Sequence, residues 1–486
     1  MSPTETWTTP LGEPIGAPLP PGWQPPSRPK LDAVEGRWAR LEPLSLQAHG
    51  ADLADAFLRG GGPEPWTYRI QAPFATRAAV EDWLREICAN PQMAYVAYID
   101  RATGKAGGNG AFMSIDAAGG SIEIGAIMLG PDLRNSRAGT EALYLQMKWV
   151  FDAGYRRCEW TCDPLNTASM QAAARLGFSY EACFRQAYVS KGRNRDKAVF
   201  AVTDGDWPAL AQALETWLDP ANFDAEGRQR QSLRALTAPL LHATAPEFTG
   251  SRKNQHGQPI GAPVPDWTSR PAPSRSAIEG RYCRLEPLTQ AHAADMLEAL
   301  QEDAEGRVFT YMPNGPFDDL AGYRSWLDGA IALDDPLQFA IAVEGRAVGT
   351  ASFLRIDPDQ GSIEVGYITF SPRLQRTAAA TEAMFLMMQW AFEAGYRRYE
   401  WKCNACNAPS RRAAMRLGLS YEGIFRQATH VKGRNRDTAW YAAIDSEWPS
   451  LKSAFETWLA AENFDAEGRQ RQSLSDLTSP ILVKTG

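Results

Sequence analysis

Polar and apolar positions in the second half of the chain follow two rhythms. Residues 339–343 alternate singly, as a strand does, and the turn Glu344-Gly-Arg leads into a second strand at 347–356. Asp357-Pro-Asp-Gln-Gly marks another turn, and Ser362–Phe370 follows as a strand apolar on both faces, the pattern of a central strand. The rhythm then lengthens. Met384, Met388, Ala391 and Phe392 recur at helical spacing, predicting a helix over 381–393 that Gly395 stops (140–152 and Gly154 in the first half). The methionines on that stripe read as core filler. A strand at 398–403 comes next, and Asn407 before Ala408-Pro409 reads as the N-cap of a helix that ends at Gly418. A short strand at 281–285 and helices near 289–300 and 320–332 precede all this. Two strands around Lys432-Gly-Arg-Asn-Arg-Asp437 and a helix over Trp448–Leu459 close it. The order predicts a mixed α/β fold, a mostly antiparallel sheet flanked by helices with a strand–helix–strand unit at its centre.

The first half repeats this pattern. Phe223–Leu233 recurs letter for letter at 464–474, 241 residues on, and Lys191-Gly-Arg-Asn-Arg-Asp196 recurs at 432–437 with the same offset. Gly12-Glu-Pro-Ile-Gly-Ala-Pro18 matches Gly257-Gln-Pro-Ile-Gly-Ala-Pro263. A period this long means duplication of a whole domain, not short stacked units. Two tandem domains are expected, 1–245 and 246–486. Each opens with a proline-rich segment, about 1–30 and 246–275, extended and poor in core residues. Their shared Pro-Ile-Gly-Ala-Pro suggests that each arm docks at a specific place.

Composition narrows the function classes. The 486 residues are 44% hydrophobic and 22% charged, with a net charge of −7, so no global nucleic-acid footprint is expected. No apolar run reaches the roughly 18 residues of a membrane span, and the polar start carries no signal-peptide pattern. Seven cysteines fit free thiols in a reducing cytosol, so a cytoplasmic location is expected. Cys403 and Cys406 form a lone C-x-x-C without a second pair, so no metal is expected. His49 and His292 occupy equivalent places in a first helix and read as packing or capping residues.

The most informative junction runs from strand through loop to helix at 363–382. A helix N-terminus exposes unpaired N–H groups and the positive end of the dipole, so it can hold a phosphate. Ala378, Ala379 and Ala380 are small enough to let one approach, and Arg376 adds charge. Composition alone leaves an ordinary capped helix equally open.

Five motifs recur in order in both halves: Ile363-Glu-Val-Gly366 (Ile122-Glu-Ile-Gly125), 375–380 (134–139), Thr381-Glu-Ala383 (Thr140-Glu-Ala142), Asn407-Ala-Pro-Ser410 (Asn166-Thr-Ala-Ser169) and Leu417-Gly-Leu419 (Leu176-Gly-Phe178). The set resembles the GNAT acetyltransferase superfamily, and within it the ribosomal-protein N-terminal acetyltransferase type, over about 35–205 and 279–446. The resemblance implies an acetyl-coenzyme A (acetyl-CoA) site. Main-chain N–H groups of Gln375, Arg376, Thr377, Ala378, Ala379 and Ala380 would cradle the pyrophosphate. Ile368, Thr369 and Phe370 would pair with the pantetheine arm, and Asn407 and Ser410 would lie near the thioester sulfur. The first-half counterparts are Arg134, Asn135, Ser136, Arg137, Ala138 and Gly139, with Asn166 and Ser169. Two departures stand out. The family's first loop glycine is Ala378 in the second half but Arg137 in the first, and Ala414 and Ala173 stand where many relatives carry a tyrosine acid. Ser410 and Ser169 are the candidate substitutes.

An amine that attacks a thioester must be neutral, and a carboxylate can take its proton. Glu364 and Glu400 (Glu123 and Glu159) lie on adjacent core strands and are the candidate bases; the alternative for each is pairing with a buried arginine. Tyr311 and Tyr68 are candidates to line the amine pocket. The expected activity is direct transfer of acetyl to a primary amine, small-molecule or peptide. A non-catalytic acyl-CoA-binding sensor or scaffold remains the alternative, at least for the first half. The basic turns at 191–196 and 432–437 read as structural contacts, the 464–474 tail being the candidate partner and Arg434–Asp437 a candidate pair. The two domains are candidates for an intrachain pseudo-dimer.

Overall fold

The computed structural model describes residues 7–30, 32–59, 62–250 and 252–486. Strands of both halves join one sheet of sixteen. In the second half the sheet runs from an edge at Ile278–Glu279 through Arg284–Pro287, Leu337–Val343, Arg346–Asp357 and Ser362–Phe370, all antiparallel. Arg398–Asn404 then pairs parallel with Ser362–Phe370, and the hairpin Ser420–Val431 and Arg434–Ile444 completes the half. The first half mirrors this order. The halves meet where Ser420–Val431 pairs with Ser179–Ser190 at Gly423 and Ala182. A Cβ at Gly423 would lie 2.0 Å from the Glu181 carbonyl oxygen, so glycine is required for this approach.

The helices are α1 (Leu46–Leu58), α2 (Arg77–Ala89), α3 (Arg137–Asp152), α4 (Thr167–Arg175), α5 (Trp207–Leu218) and α6 (Leu233–Thr237), then α7 (Ala293–Gln301), α8 (Leu320–Ile331), α9 (Ala378–Glu393), α10 (Ala408–Arg416), α11 (Trp448–Leu459) and α12 (Leu474–Thr478). Phe339 and Ile341 face a core shared with α9 and α11, while Ala340, between them, faces the cluster of α7 and α8. Successive strand residues point to opposite faces, so both sides of the sheet are covered. The expected strand Ser362–Phe370 and helix Trp448–Leu459 occur with those bounds. Helix α9 starts three residues before the expected 381, because the Thr377 hydroxyl accepts from Ala380 N at 3.1 Å and caps the alanine run. Helix α12 was not expected; five residues are too few to show a period. His49 and His292 cap: Nδ1 of each accepts a backbone N–H, from Ser45 and from Thr289, both at 3.1 Å.

The proline-rich arms cross between halves. Pro18 bridges Arg434, and Asn435 N donates to Ala17 O. Reciprocally, Pro263 bridges Arg193, and Asn194 N donates to Ala262 O. Glycine is needed at both crossings: a Cβ at Gly16 would lie 1.8 Å from Asn435 O, and one at Gly261 1.9 Å from Asn194 O. The basic turns therefore contact the opposite arm, not the 464–474 tail. Asp437 accepts from Gln427 N and Asn435 Nδ2 rather than pairing with Arg434, which reaches Gly16 O.

Two arginines lie at the seam without any side-chain exposure. Arg398 Nε bonds Glu400 at 2.7 Å, its Nη2 bonds Glu422 at 2.5 Å, and its Nη1 crosses to Arg185 O at 2.7 Å. Arg157 repeats this with Glu159, Glu181 and Arg426 O. Between them Phe184 stacks on Phe425 at 5.5 Å, and Trp440 packs on both rings.

Candidate active site

The parallel pairing of Ser362–Phe370 with Arg398–Asn404 ends at Val365 and Trp401. Two residues on, Tyr367 takes a left-handed φ of 47°, and the strand bends away from its neighbour. Ala126 does the same in the first half, with φ 49°. A wedge opens between the strands, and the N-termini of α9 and α10 point towards it.

On the second half this wedge is a cavity of about 1770 Å³. Gln375, Arg376, Thr377, Ala378 and Ala380 line one end, with Tyr282 and Phe464 beside them. Within the loop, Gln375 N bonds Ser371 O and Thr377 N bonds Leu374 O. Among the described residues the N–H groups of Arg376, Ala378 and Ala379 have no acceptor. Three free donors at a helix start, with Arg281, Arg376 and Arg416 on the same wall, make a cradle for an anion. Ala379 lies just behind the lining and is buried. Ile368 and Phe370 line the next stretch, and Thr369 between them is buried and pairs with Thr350.

Asn407 caps α10 through Oδ1, which accepts from Ser410 N at 3.0 Å; Ser410 Oγ accepts from Trp401 Nε1 at 3.1 Å. Asn166 and Ser169 do the same with Trp160. Both pairs are thus capping and packing devices, and in the second half they also line the cavity.

At the deep end, Glu364 is 4% exposed, with Oε2 2.6 Å from Lys402 Nζ and 3.0 Å from Arg355 Nε. Lys402 also reaches Glu400 at 3.3 Å and sits 3.7 Å over the Trp440 ring. Burial pushes Lys402 below the usual lysine range, its two carboxylate neighbours offsetting only part. Burial alone would raise Glu400, but Lys402 and Arg398 outweigh it and hold the carboxyl down to about 2. Glu400 is therefore a fixed counter-ion for a buried arginine, the alternative that sequence had left open. Sequence reasoning passed over Lys402; the signal available was a lysine on a strand of otherwise buried residues.

Tyr311 lines the cavity, its hydroxyl donating to Pro14 O at 2.8 Å and Cys406 O at 3.2 Å, and burial raises its pKa to about 12. Tyr68 likewise donates to Pro259 O. Each tyrosine is tied to the arm that arrives from the other half. Glu382, in the sequence a member of the Thr381-Glu-Ala383 motif without an assigned role, accepts from the N–H groups of Arg281, Tyr282 and Cys283 and anchors the segment that carries Tyr282.

The first half fills the corresponding space. The Arg137 guanidinium lies between Trp38, at 4.2 Å, and Phe223, at 4.7 Å, where the second half has Tyr282, Ala378 and Phe464. Arg69 Nη2 donates at 2.6 Å to Ile127 O, on the splayed strand, and burial lowers its pKa to about 10. Met312 takes its place in the second half. Arg134, Asn135, Ser136, Ala138 and Gly139 keep the loop geometry, Ser136 Oγ accepting from Gly139 N. Glu123 accepts from two hydroxyls, Thr161 at 2.6 Å and Ser114 at 2.8 Å. Among the described residues no group of three or more His, Cys, Asp or Glu could hold a metal ion, and no helix is long and apolar enough to cross a membrane.

The family described as Acetyltransferase (GNAT) domain matches residues 41–179 and 283–420. Among curated proteins the chain is similar to the ribosomal-protein-serine acetyltransferase of Escherichia coli (strain K12), 29% identical over 106 residues; the match spans 22% of this chain and 59% of that protein. It is also similar to the uncharacterized N-acetyltransferase YnaD of Bacillus subtilis (strain 168), 25% identical over 150 residues, 30% of this chain and 85% of that one. Among solved structures, a GCN5-related N-acetyltransferase from Brucella melitensis is 49% identical and covers 44% of this chain and 99% of its own, with a TM-score of 0.43.

Proposed function

The chain belongs to the GNAT acetyltransferase family through both of its halves, and from that premise we propose that its second half transfers acetyl from acetyl-CoA to a primary amine while the first half serves as scaffold. The observation that carries this reading is the cavity of the second half, which joins the free N–H groups before α9 to Glu364. Arg281, Arg376 and Arg416 supply charge for the diphosphate, and the gap left by Ala378 between Tyr282 and Phe464 gives it entry. Asn407 and Ser410 sit at the start of α10, beside the thioester.

In the proposed step the neutral amine nitrogen attacks the thioester carbonyl carbon, and the C–N bond forms. The tetrahedral adduct collapses, the C–S bond breaks and coenzyme A leaves as thiolate. A thiol pKa of about 8.5 lets it leave without a dedicated acid, which suits the alanine at 414. The surplus ammonium proton passes to the Glu364 carboxylate, which Lys402 holds in place as its cationic partner. Arg137 and Arg69 favour the scaffold role for the first half, since Arg69 occupies a carbonyl of the splayed strand and Arg137 stands between the two rings where the second half has an alanine.

Calorimetry with acetyl-CoA and transfer assays on an amine panel test this. Glu364→Gln is expected to cut kcat about 100- to 10,000-fold with little change in acetyl-CoA affinity, and Glu123→Gln to leave turnover intact. Absence of acetyl-CoA affinity, or loss of turnover in Glu123→Gln, overturns the proposal.

A further inference from the structure

Arg436 lies on Arg434–Ile444 and lines the cavity of the second half together with Glu364. Its Nε is buried without a hydrogen-bond partner, and among the described residues it forms no ion pair. Burial lowers its pKa from the ordinary arginine value. The carboxylates nearby are already engaged: Glu364 by Lys402 and Arg355, Glu400 by Arg398 and Lys402.

The first half shows what is missing. There Arg195, the counterpart of Arg436, faces the Asp163 carboxylate at 3.8 Å. The second half has Asn404 in that place, and its Oδ1 is used by Cys406 N. Lys197 and Tyr188, which sit together in the first half with Nζ 5.9 Å from the ring, become Thr438 and Thr429, both on the cavity wall. These exchanges remove the internal counter-ion and clear space before the guanidinium. Arg436 is half-buried, with Nε shut away from solvent and no anion paired with it among the described residues, so an anion that enters the cavity meets an unpaired guanidinium there.

We propose that Arg436 pairs with an oxyanion on the acceptor, so that the preferred substrate of the second half carries a carboxylate or phosphate close to the amine it presents. This rests on the reading of that half as the transferase site. The planar fork of arginine suits both anions in bidentate fashion. A neutral acceptor leaves the fork unpaired and forfeits that interaction.

The full chain is assayed with acetyl-CoA and three matched amines: β-alanine, O-phosphoethanolamine and the neutral β-alaninamide. Two peptides that differ only in aspartate or asparagine after the N-terminal serine extend the set. Wild type is expected to favour the anionic member of a pair by about 10- to 100-fold in kcat/KM, and the carboxylate and phosphate arms show which anion is preferred. Arg436→Gln should bring the ratio near one. Asn404→Asp, which keeps the arginine but restores the partner it has in the first half, should do the same while leaving acetyl-CoA affinity unchanged. Equal rates for neutral and anionic acceptors, or a ratio that survives both variants, overturn the inference alone. A uniform fall in kcat for every acceptor in Arg436→Gln also overturns it, because that marks a role at the thioester. Absence of transfer to every amine overturns the transferase reading and this inference together.

Discussion

Arg137 and Ala378 stand at equivalent positions at the start of α3 and α9, flanked by equivalent aromatic residues, yet one closes its groove and the other leaves it open. The loops around them are built alike: Asn135 and Arg376 both take left-handed φ, and Ser136 and Thr377 both cap. Main-chain geometry was therefore kept in both halves while access was not. A guanidinium stacked between two rings gains cation–π attraction on both faces, so the closed form is held as well as filled. The first half keeps the fold that presents the loop, and it supplies the arm that holds Tyr311.

Moving the plug is expected to have the largest effect. Ala378→Arg should weaken acetyl-CoA binding about 100-fold, because overpacking costs roughly 1–3 kcal/mol and blocked amide contacts add to it. Calorimetry checks this, and unchanged affinity would show that access is not what separates the halves. The sharper converse is Arg137→Ala with Arg69→Met, which should give the first half measurable affinity.

The crossed arms come next. Gly16→Val places side-chain atoms on the Asn435 carbonyl and should undock the arm, lowering stability by about 1–3 kcal/mol in denaturant titration. The same change at Gly261 should cost as much; a large difference between them would show that the seam is less symmetric than its hydrogen bonds.

The smallest effect concerns acid. Glu400 is depressed from 4.5 to about 2, so its contribution to stability is complete above 4.5 and disappears as pH falls towards 2. Lys402→Thr, which imports the first-half residue, removes one of the two cations that depress it. The midpoint of acid unfolding should then rise, since the carboxyl protonates at higher pH without that partner. Circular dichroism through that range measures it.

Much of the fold could be read in advance because its cues are local. Periodicity marked Ser362–Phe370, Asn407 with Pro409 marked the start of α10, and Gly418 its end. The candidate cofactor loop was visible through small residues and a repeated motif. The partners of the candidate carboxylates were not, since Glu364 meets Lys402 and Arg355 only when three strands come side by side. Ser410 was a candidate acid in the sequence, and only the fold showed that its Oγ also accepts from Trp401.

By itself the sequence determined the duplication, the order of strands and helices, and the place of the candidate phosphate-binding bend, because each is written in neighbouring residues or in self-similarity at one offset. Only tertiary structure decided that the arms cross, that Arg137 stacks between Trp38 and Phe223 and that Arg436 forms no ion pair among the described residues. Those facts depend on residues tens to hundreds of positions apart, and chain-local pattern does not say which side chains will meet across a sheet.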